Sequence, residues 1–355
     1  MIDNTAINCH TIGGFFGVNG KKLQRQYKKH LSLFSIWEPK EHAHQWIVYP
    51  KNIGTHLAID EVALSQGELY TIVTNKKAKG KKGALVAIVA GTKAEQVIEH
   101  VSKIDSKKRQ AVIEITLDMA NSMKLIAKKC FPKAIQVTDR FHVQKLALEA
   151  LQEIRIKHRW QAMDIENQSI LKAKSENKTH TPQLLNNGDT VKQLLARSRY
   201  LLYKSREKWT DSQKERAQLL FELYPDIKTA YTLSQQLRAI YNNNNDKNVA
   251  MLKLAHWYRK VEESGFKNFN IVLNTITVNY QSILNYFDNR STNASAESFN
   301  TKIKAFKSQF RGVREIDFSY LDYLIFLLNP QLLNLIRNKL LLCRLKICSL
   351  IKQIY

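Results

Sequence analysis

Between residues 55 and 140 the hydrophobic period changes several times, and the order of those changes leaves few folds open. The apolar run His56-Leu57-Ala58-Ile59 reads as a strand ending at Asp60, and Glu68 to Thr74 reads as a second strand. A polar stretch, Lys76 to Lys82, separates these from Ala84-Leu85-Val86-Ala87-Ile88-Val89-Ala90, a third strand closed by Gly91. Residues 92–104 then carry Ala94, Val97, Ile98, Val101 and Ile104 at helical spacing. A strand over 111–117, a helix over 121–130 ended by Pro132, and a strand over 134–138 complete the series. Three strands followed by helix, strand, helix and strand require an α/β architecture with a mixed sheet.

That order is the order of a ribonuclease-H-like domain, and the material around it differs in kind. Residues 1–50 form a basic N-terminal segment in which a short helix, a turn at Asn19-Gly20 and a basic stretch from Lys21 to Leu31 follow one another. Leu23, Tyr27 and Leu31 fall on one face of that stretch. It is either part of a helix-turn-helix reader or a solvated basic helix packed on the main domain. Residues 141–290 read as almost all helix, with amphipathic stretches at 141–160, 191–209, 213–241 and 247–264. The polar stretch 164–190 and the run Asn242 to Asn245 read as loops. A last helix starts near Ser295 and carries Phe299, Ile303, Phe306 and Phe310 on one stripe. The expected division is a core over 51–145, an all-helical insertion over 146–288, the end of the core over 289–322, and an apolar, basic tail over 323–355. That tail is either a helix docking on a partner or an extension without selected structure.

Charge narrows the function. Lys and Arg number 55 against 31 Asp and Glu, a formal net charge of +24, so the chain is expected to bind DNA or RNA in a salt-dependent manner. No apolar run approaches the roughly 20 residues that span a bilayer, and the N-terminus lacks the regions of a signal peptide, so no membrane partner is expected. Cys9, Cys130, Cys343 and Cys348 are scattered without a C-x-x-C pair, which disfavours a zinc ribbon or disulfide framework and fits a reducing cytoplasm. Trp37, Trp46, Trp160, Trp209 and Trp257 are core residues by default, although one in the insertion is able to stack on an unpaired base.

Three acids stand where strands and a helix aim them at one point: Asp60, Asp118 after the fourth strand, and Glu297 in the first turn of the last helix. Singly, each is most simply a turn or capping residue. Together they suit a pair of divalent cations about 4 Å apart, which activate an attacking oxygen and stabilise a leaving one in phosphodiester displacement. Mg²⁺ or Mn²⁺ fits, because a hard octahedral ion needs few protein carboxylates beside water and phosphate.

Three passages resemble the DDE transposases of bacterial insertion sequences, in the ISL-three-like group. They are Leu57-Ala58-Ile59-Asp60-Glu61; Thr116-Leu117-Asp118-Met119 with Thr138-Asp139-Arg140-Phe141-His142-Val143; and Ser291-Thr292-Asn293-Ala294-Ser295-Ala296-Glu297-Ser298-Phe299-Asn300. The resemblance spans about residues 20–318. It implies a ribonuclease-H-like core interrupted by a large helical insertion, with Asp60, Asp118 and Glu297 as catalytic, metal-binding triad. It further implies strand cleavage and strand transfer at the ends of a mobile element, by a homo-oligomer acting on element ends and target DNA. A nuclease or resolvase that does not join strands, and an inactive DNA-binding relic, are the alternatives. Asp139 and His142 match a motif of related families. Either Asp139 caps the next helix above a packed His142, or the pair serves the catalytic loop or DNA. Lys304, two turns beyond Glu297, is either a solvated lysine or a phosphate contact. The family's zinc-binding N-terminal region has no counterpart in these 355 residues, so recognition of the element ends is expected to be either weak in this chain or supplied by a separate end-recognising polypeptide, and the tail departs from the family's ending.

Overall fold

In the computed structural model, which describes residues 7–31, 38–65, 68–81 and 83–309, the alternating stretch builds one six-stranded sheet. Its strands are β1 (Trp46–Val48), β2 (His56–Ser65), β3 (Glu68–Asn75), β4 (Leu85–Ala90), β5 (Glu114–Leu117) and β6 (Ile135–Thr138). Their spatial order is β1-β4-β3-β2-β5-β6. β2, β3 and β4 form an antiparallel meander and β1 extends it beyond β4. β5 crosses back to pair parallel with β2. With β1 set aside, this is the ribonuclease-H-like order that the sequence predicts.

The chain divides into two compact units, residues 1–136 with 292–355, and residues 137–291. The first holds α1 (Cys9–Phe16), α2 (Gly20–Gln26), α3 (Ala94–Val101), α4 (Ser106–Gln110) and α5 (Asn121–Cys130). The second is helical: α6 (Arg140–Ser175), α7 (Val191–Arg197), α8 (Arg199–Tyr203), α9 (Asp211–Leu223), α10 (Pro225–Asn243), α11 (Lys247–Ser264), α12 (Lys267–Val278), α13 (Tyr280–Leu284) and α14 (Tyr286–Asn289). The first unit then regains α15 (Ala294–Gln309).

Strand alternation divides the sheet between two cores. Leu57, Ile59, Val73 and Val86 bury with Val97 and Val101 of α3 and Met123 and Ile126 of α5. Val62, Tyr70, Ile72 and Ile88 bury with Phe299 and Ile303 of α15. Phe310 lies outside the described residues, as do the side chain of Phe306 and the 323–355 tail. Cys130 is fully buried in the first core, which pushes its thiol up to about 11 and leaves it unreactive. Cys343 and Cys348 lie outside the described residues.

Four local readings change. Asp60 does not end its strand: β2 runs on to Ser65, because Glu61, Val62 and Ala63 continue the ladder to β3 and Val62 is buried. Trp46–Val48 forms an edge strand that the alternation from residue 55 does not announce. α6 continues through the polar stretch to Ser175, since residues 164–175 are mostly good helix formers without Gly or Pro. It stops where Asn177 turns left-handed, at φ 53°. The expected single helix over 213–241 is two, because Pro225 opens α10 at a position that suits it only as a helix start.

In the N-terminal segment α1 and α2 pack as a helical pair around the turn Gly17-Val18-Asn19. Two glycines allow the close approach: a Cβ on Gly20 would meet His10 Cα at 2.5 Å, and one on Gly13 would meet the Val18 carbonyl at 2.5 Å. No helix among the described residues is long and apolar enough to cross a membrane.

Among the described side chains of α15, Phe299 is the largest in the second core, at 1% exposure. Phe299→Ala is expected to lower unfolding free energy by about 3–5 kcal/mol in chemical denaturation.

Candidate active site

The parallel ladder of β2 and β5 pairs His56 with Glu114, Leu57 with Ile115 and Ala58 with Thr116. Two residues beyond the last pair stand Asp60, still within β2, and Asp118, just past the end of β5, and both raise the pKa of Glu61 by their charge. By alternation Asp60 shares the face of Ala58, across the ladder from Thr116. Leu57, Ile59, Ile115 and Leu117 point the other way, into the core under α3 and α5. The apolar side chains therefore hold the register of the strand that carries Asp60 against the strand that leads into Asp118.

Each aspartate is fixed by its surroundings. Asp118 Oδ1 accepts from the backbone N–H of Ala120 at 2.9 Å, at the entry to α5. Asp60 Oδ1 accepts from the Glu61 N–H at 2.8 Å, and its Oδ2 accepts from Asn300 Nδ2 at 2.7 Å. The last bond joins residues 240 positions apart and ties α15 to β2. Glu297 lies three residues before Asn300 on α15, with its side chain exposed. Phe299 and Ile303 anchor α15 below, and Lys302 Nζ donates to the Gly80 carbonyl at 2.6 Å.

The electrostatics are those of crowded like charges. Glu61 is held above the usual carboxylate range, first by burial and then by the charges of Asp118 and Asp60. Two residues before Asp118 on β5, Lys76 Nζ donates to Thr116 at 2.7 Å and pairs with buried Glu114 at 3.3 Å. Buried polar atoms without partners gather on the first turns of α15: Asn300 Oδ1, Ser295 Oγ, and both Nδ2 and Oδ1 of Asn293. Such groups cost about 1–3 kcal/mol each unless water or a ligand pairs with them.

Among the described residues no three His, Cys, Asp or Glu side chains are gathered into a ready-made metal cage. The donor set nonetheless fits a hard cation. Asp60 and Asp118 offer carboxylate oxygens, and Mg²⁺ characteristically takes one or two carboxylates with water and substrate phosphate. All-oxygen donors suit Mg²⁺ or Mn²⁺ better than softer metals.

Asp139 is buried at 2% exposure and caps α6, accepting from the Phe141 N–H at 3.4 Å. His142 is half-buried in that first turn, edge-on to Phe141 at 5.8 Å. Lys304 is exposed on α15. Sequence reasoning missed Asn300, Lys302 and Glu61 as parts of this arrangement. For Asn300 a signal was present: an amide three residues past a helical Glu shares its face.

Residues 57–321 match the family model described as Transposase, for ISL3-type DDE transposases. The transposase for insertion sequence element IS1001 of Bordetella parapertussis is 23% identical over 268 residues, which cover 75% of this chain and 59% of that protein.

The raised Glu61 pKa has a consequence for stability. An acid whose pKa is higher folded than unfolded contributes stability at low pH, which is lost as pH rises through the folded value. Glu61→Gln removes that loss. In EDTA the variant is expected to melt above the parent at neutral pH, with the difference closing below about pH 4.

Proposed function

The chain belongs to the ISL3-type family of DDE transposases, and on that footing we propose that it cuts and joins DNA strands with Asp60, Asp118 and Glu297 as its acting carboxylates. The observation that carries this reading is the hydrogen bond from Asn300 to Asp60, which ties the helix bearing Glu297 to β2, the strand that pairs in parallel with the one leading into Asp118.

In the first reaction a water oxygen attacks phosphorus at the element end and the 3′-oxygen leaves. In the second, the freed 3′-hydroxyl attacks a target phosphodiester in line. Each step breaks one P–O bond and forms one, so no covalent link to a protein side chain is required. Mg²⁺ or Mn²⁺ held by the three carboxylates, as a pair of ions, would supply Lewis-acid activation of the attacking oxygen and neutralise the leaving one. The chain's own part is positioning. Asn300 and the Glu61 N–H hold both Asp60 oxygens, which sets the plane of the carboxylate. Lys304 is suited to a flanking phosphate, and the net charge of +24 draws DNA to the surface. Asp139 orders the start of α6 by capping it, and His142 presents a ring nitrogen to the loop or to DNA. Element ends and target DNA are the partners in this reading. Synapsis of two ends calls for a homo-oligomer, and a separate polypeptide would assist end recognition.

Asp118→Ala tests the assignment. The variant is expected to bind end-containing duplex like the parent and to give neither nicked nor joined product with Mg²⁺. Retained Mg²⁺-dependent cleavage contradicts the assignment, and parent protein that nicks but never joins favours a nuclease. Asn300→Ala is expected to lower the cleavage rate about 10–100-fold and to raise the Mg²⁺ concentration for half-maximal rate, as loss of a ligand-orienting partner does.

A further inference from the structure

The helical unit 137–291, taken by itself, carries a groove between α10 and α11. Ile240 and Trp257 are buried at its base, with Trp257 Nε1 donating to the Leu233 carbonyl at 2.8 Å. A cavity of about 280 Å³ opens above them. One wall offers the amides of Gln236, Asn243 and Asn244, and the other offers Lys253, His256 and Lys260.

The core does not explain this wall. α11 buries Ala250, Leu254, Trp257 and Val261, whereas residues 253, 256 and 260 form an adjacent exposed row at i, i+3 and i+7. A merely solvated face usually mixes both signs of charge. None of the described residues lining the cavity is acidic. Along α10 the acid is Asp226 in the first turn, bound to His158; α11 carries Glu262 and Glu263 in its last turn, Glu263 pairs with Arg259, and neither lines the cavity. Lys253 Nζ donates to a neutral oxygen, Asn244 Oδ1, at 2.6 Å, which sets its position.

The spacing suits a polyanion of regular repeat. At 1.5 Å per residue the row from Lys253 to Lys260 is about 10 Å long. One strand of duplex DNA advances about 3.4 Å along its axis per phosphate, so about three consecutive phosphates match that length. Amide and imidazole N–H donors beside ammonium groups are the usual equipment for backbone contacts. We propose that this groove is a DNA-backbone site of the helical unit, in which Lys253, His256 and Lys260 take phosphates of one strand and the opposite amides of Gln236 and Asn243 donate to the same backbone, while buried Asn244 positions Lys253. The proposal does not depend on the carboxylate triad.

The test is equilibrium binding of the full-length chain to a fluorescent random-sequence duplex in EDTA, across a salt series. The variants are Lys260→Glu, Lys253→Gln/Lys260→Gln, and a control, Lys172→Gln/Lys174→Gln, on the exposed end of α6. Loss of each phosphate contact lowers the slope of log affinity against log salt by about 0.9. The double groove variant is therefore expected to lose about 1.8 from that slope and Lys260→Glu at least about 0.9, with the far-ultraviolet spectrum and melting temperature of the parent. The control is expected to change the slope by less than either. Equal loss in control and groove variants overturns the proposal, as does an unchanged slope for Lys260→Glu. Loss of binding to anionic lipid vesicles with DNA binding intact also overturns it.

Discussion

The parallel pairing of β2 with β5 is the constraint on which the rest depends. Its offset of 58 residues is set by Leu57, Ile59, Ile115 and Leu117, which are fully buried on the face under α3 and α5. Slipping the ladder by one residue would turn those side chains toward the opposite face and Asp60 toward the core. Apolar burial on one side of the sheet therefore determines where charge stands on the other. α15 completes the arrangement from a distant part of the chain. It is held by Phe299 and Ile303 in the second core and by the hydrogen bond between Asn300 and Asp60.

This arrangement is costly in isolation. Glu61 is pushed toward its protonated form, and several polar atoms of Asn293, Ser295 and Asn300 are buried without partners. Well-packed strands beneath offset such local costs, and the pattern is common where side chains are arranged for a reaction rather than for stability. Positive charge belongs to the same logic. Lys76 is already committed to Glu114 and Thr116, whereas the row on α11 faces outward from its own helical unit.

Much of the core was legible because strong periodicity leaves little choice. The helix over 121–130 and the strand that precedes Asp118 follow directly from apolar spacing. Two of the failures arise where tertiary partners override local signals, and the others are local signals misread. Asp60 and Glu61 interrupt an apolar run yet remain in a strand, because β3 supplies the ladder on that side. Trp46–Val48 is too short to read alone and is a strand only because β4 offers a free edge. The polar end of α6 looked like loop by composition although nothing in it breaks a helix. In the site, the acids stood out by their place in the pattern. Asn300 did not, because a neutral amide declares its role only when the atom it donates to is known.

The central claim is that segments around residues 60, 118 and 297 meet at one cation-binding point. Replacing Mg²⁺ with Fe²⁺ and adding ascorbate and peroxide generates hydroxyl radicals at the bound ion, and these cut the nearby polypeptide. Mapping the cuts by mass spectrometry tests convergence directly. The account predicts three clusters of cuts, near Asp60, Asp118 and Glu297, all suppressed by excess Mg²⁺. Cuts at the two aspartates without the α15 segment, or cuts confined to other regions, would contradict it.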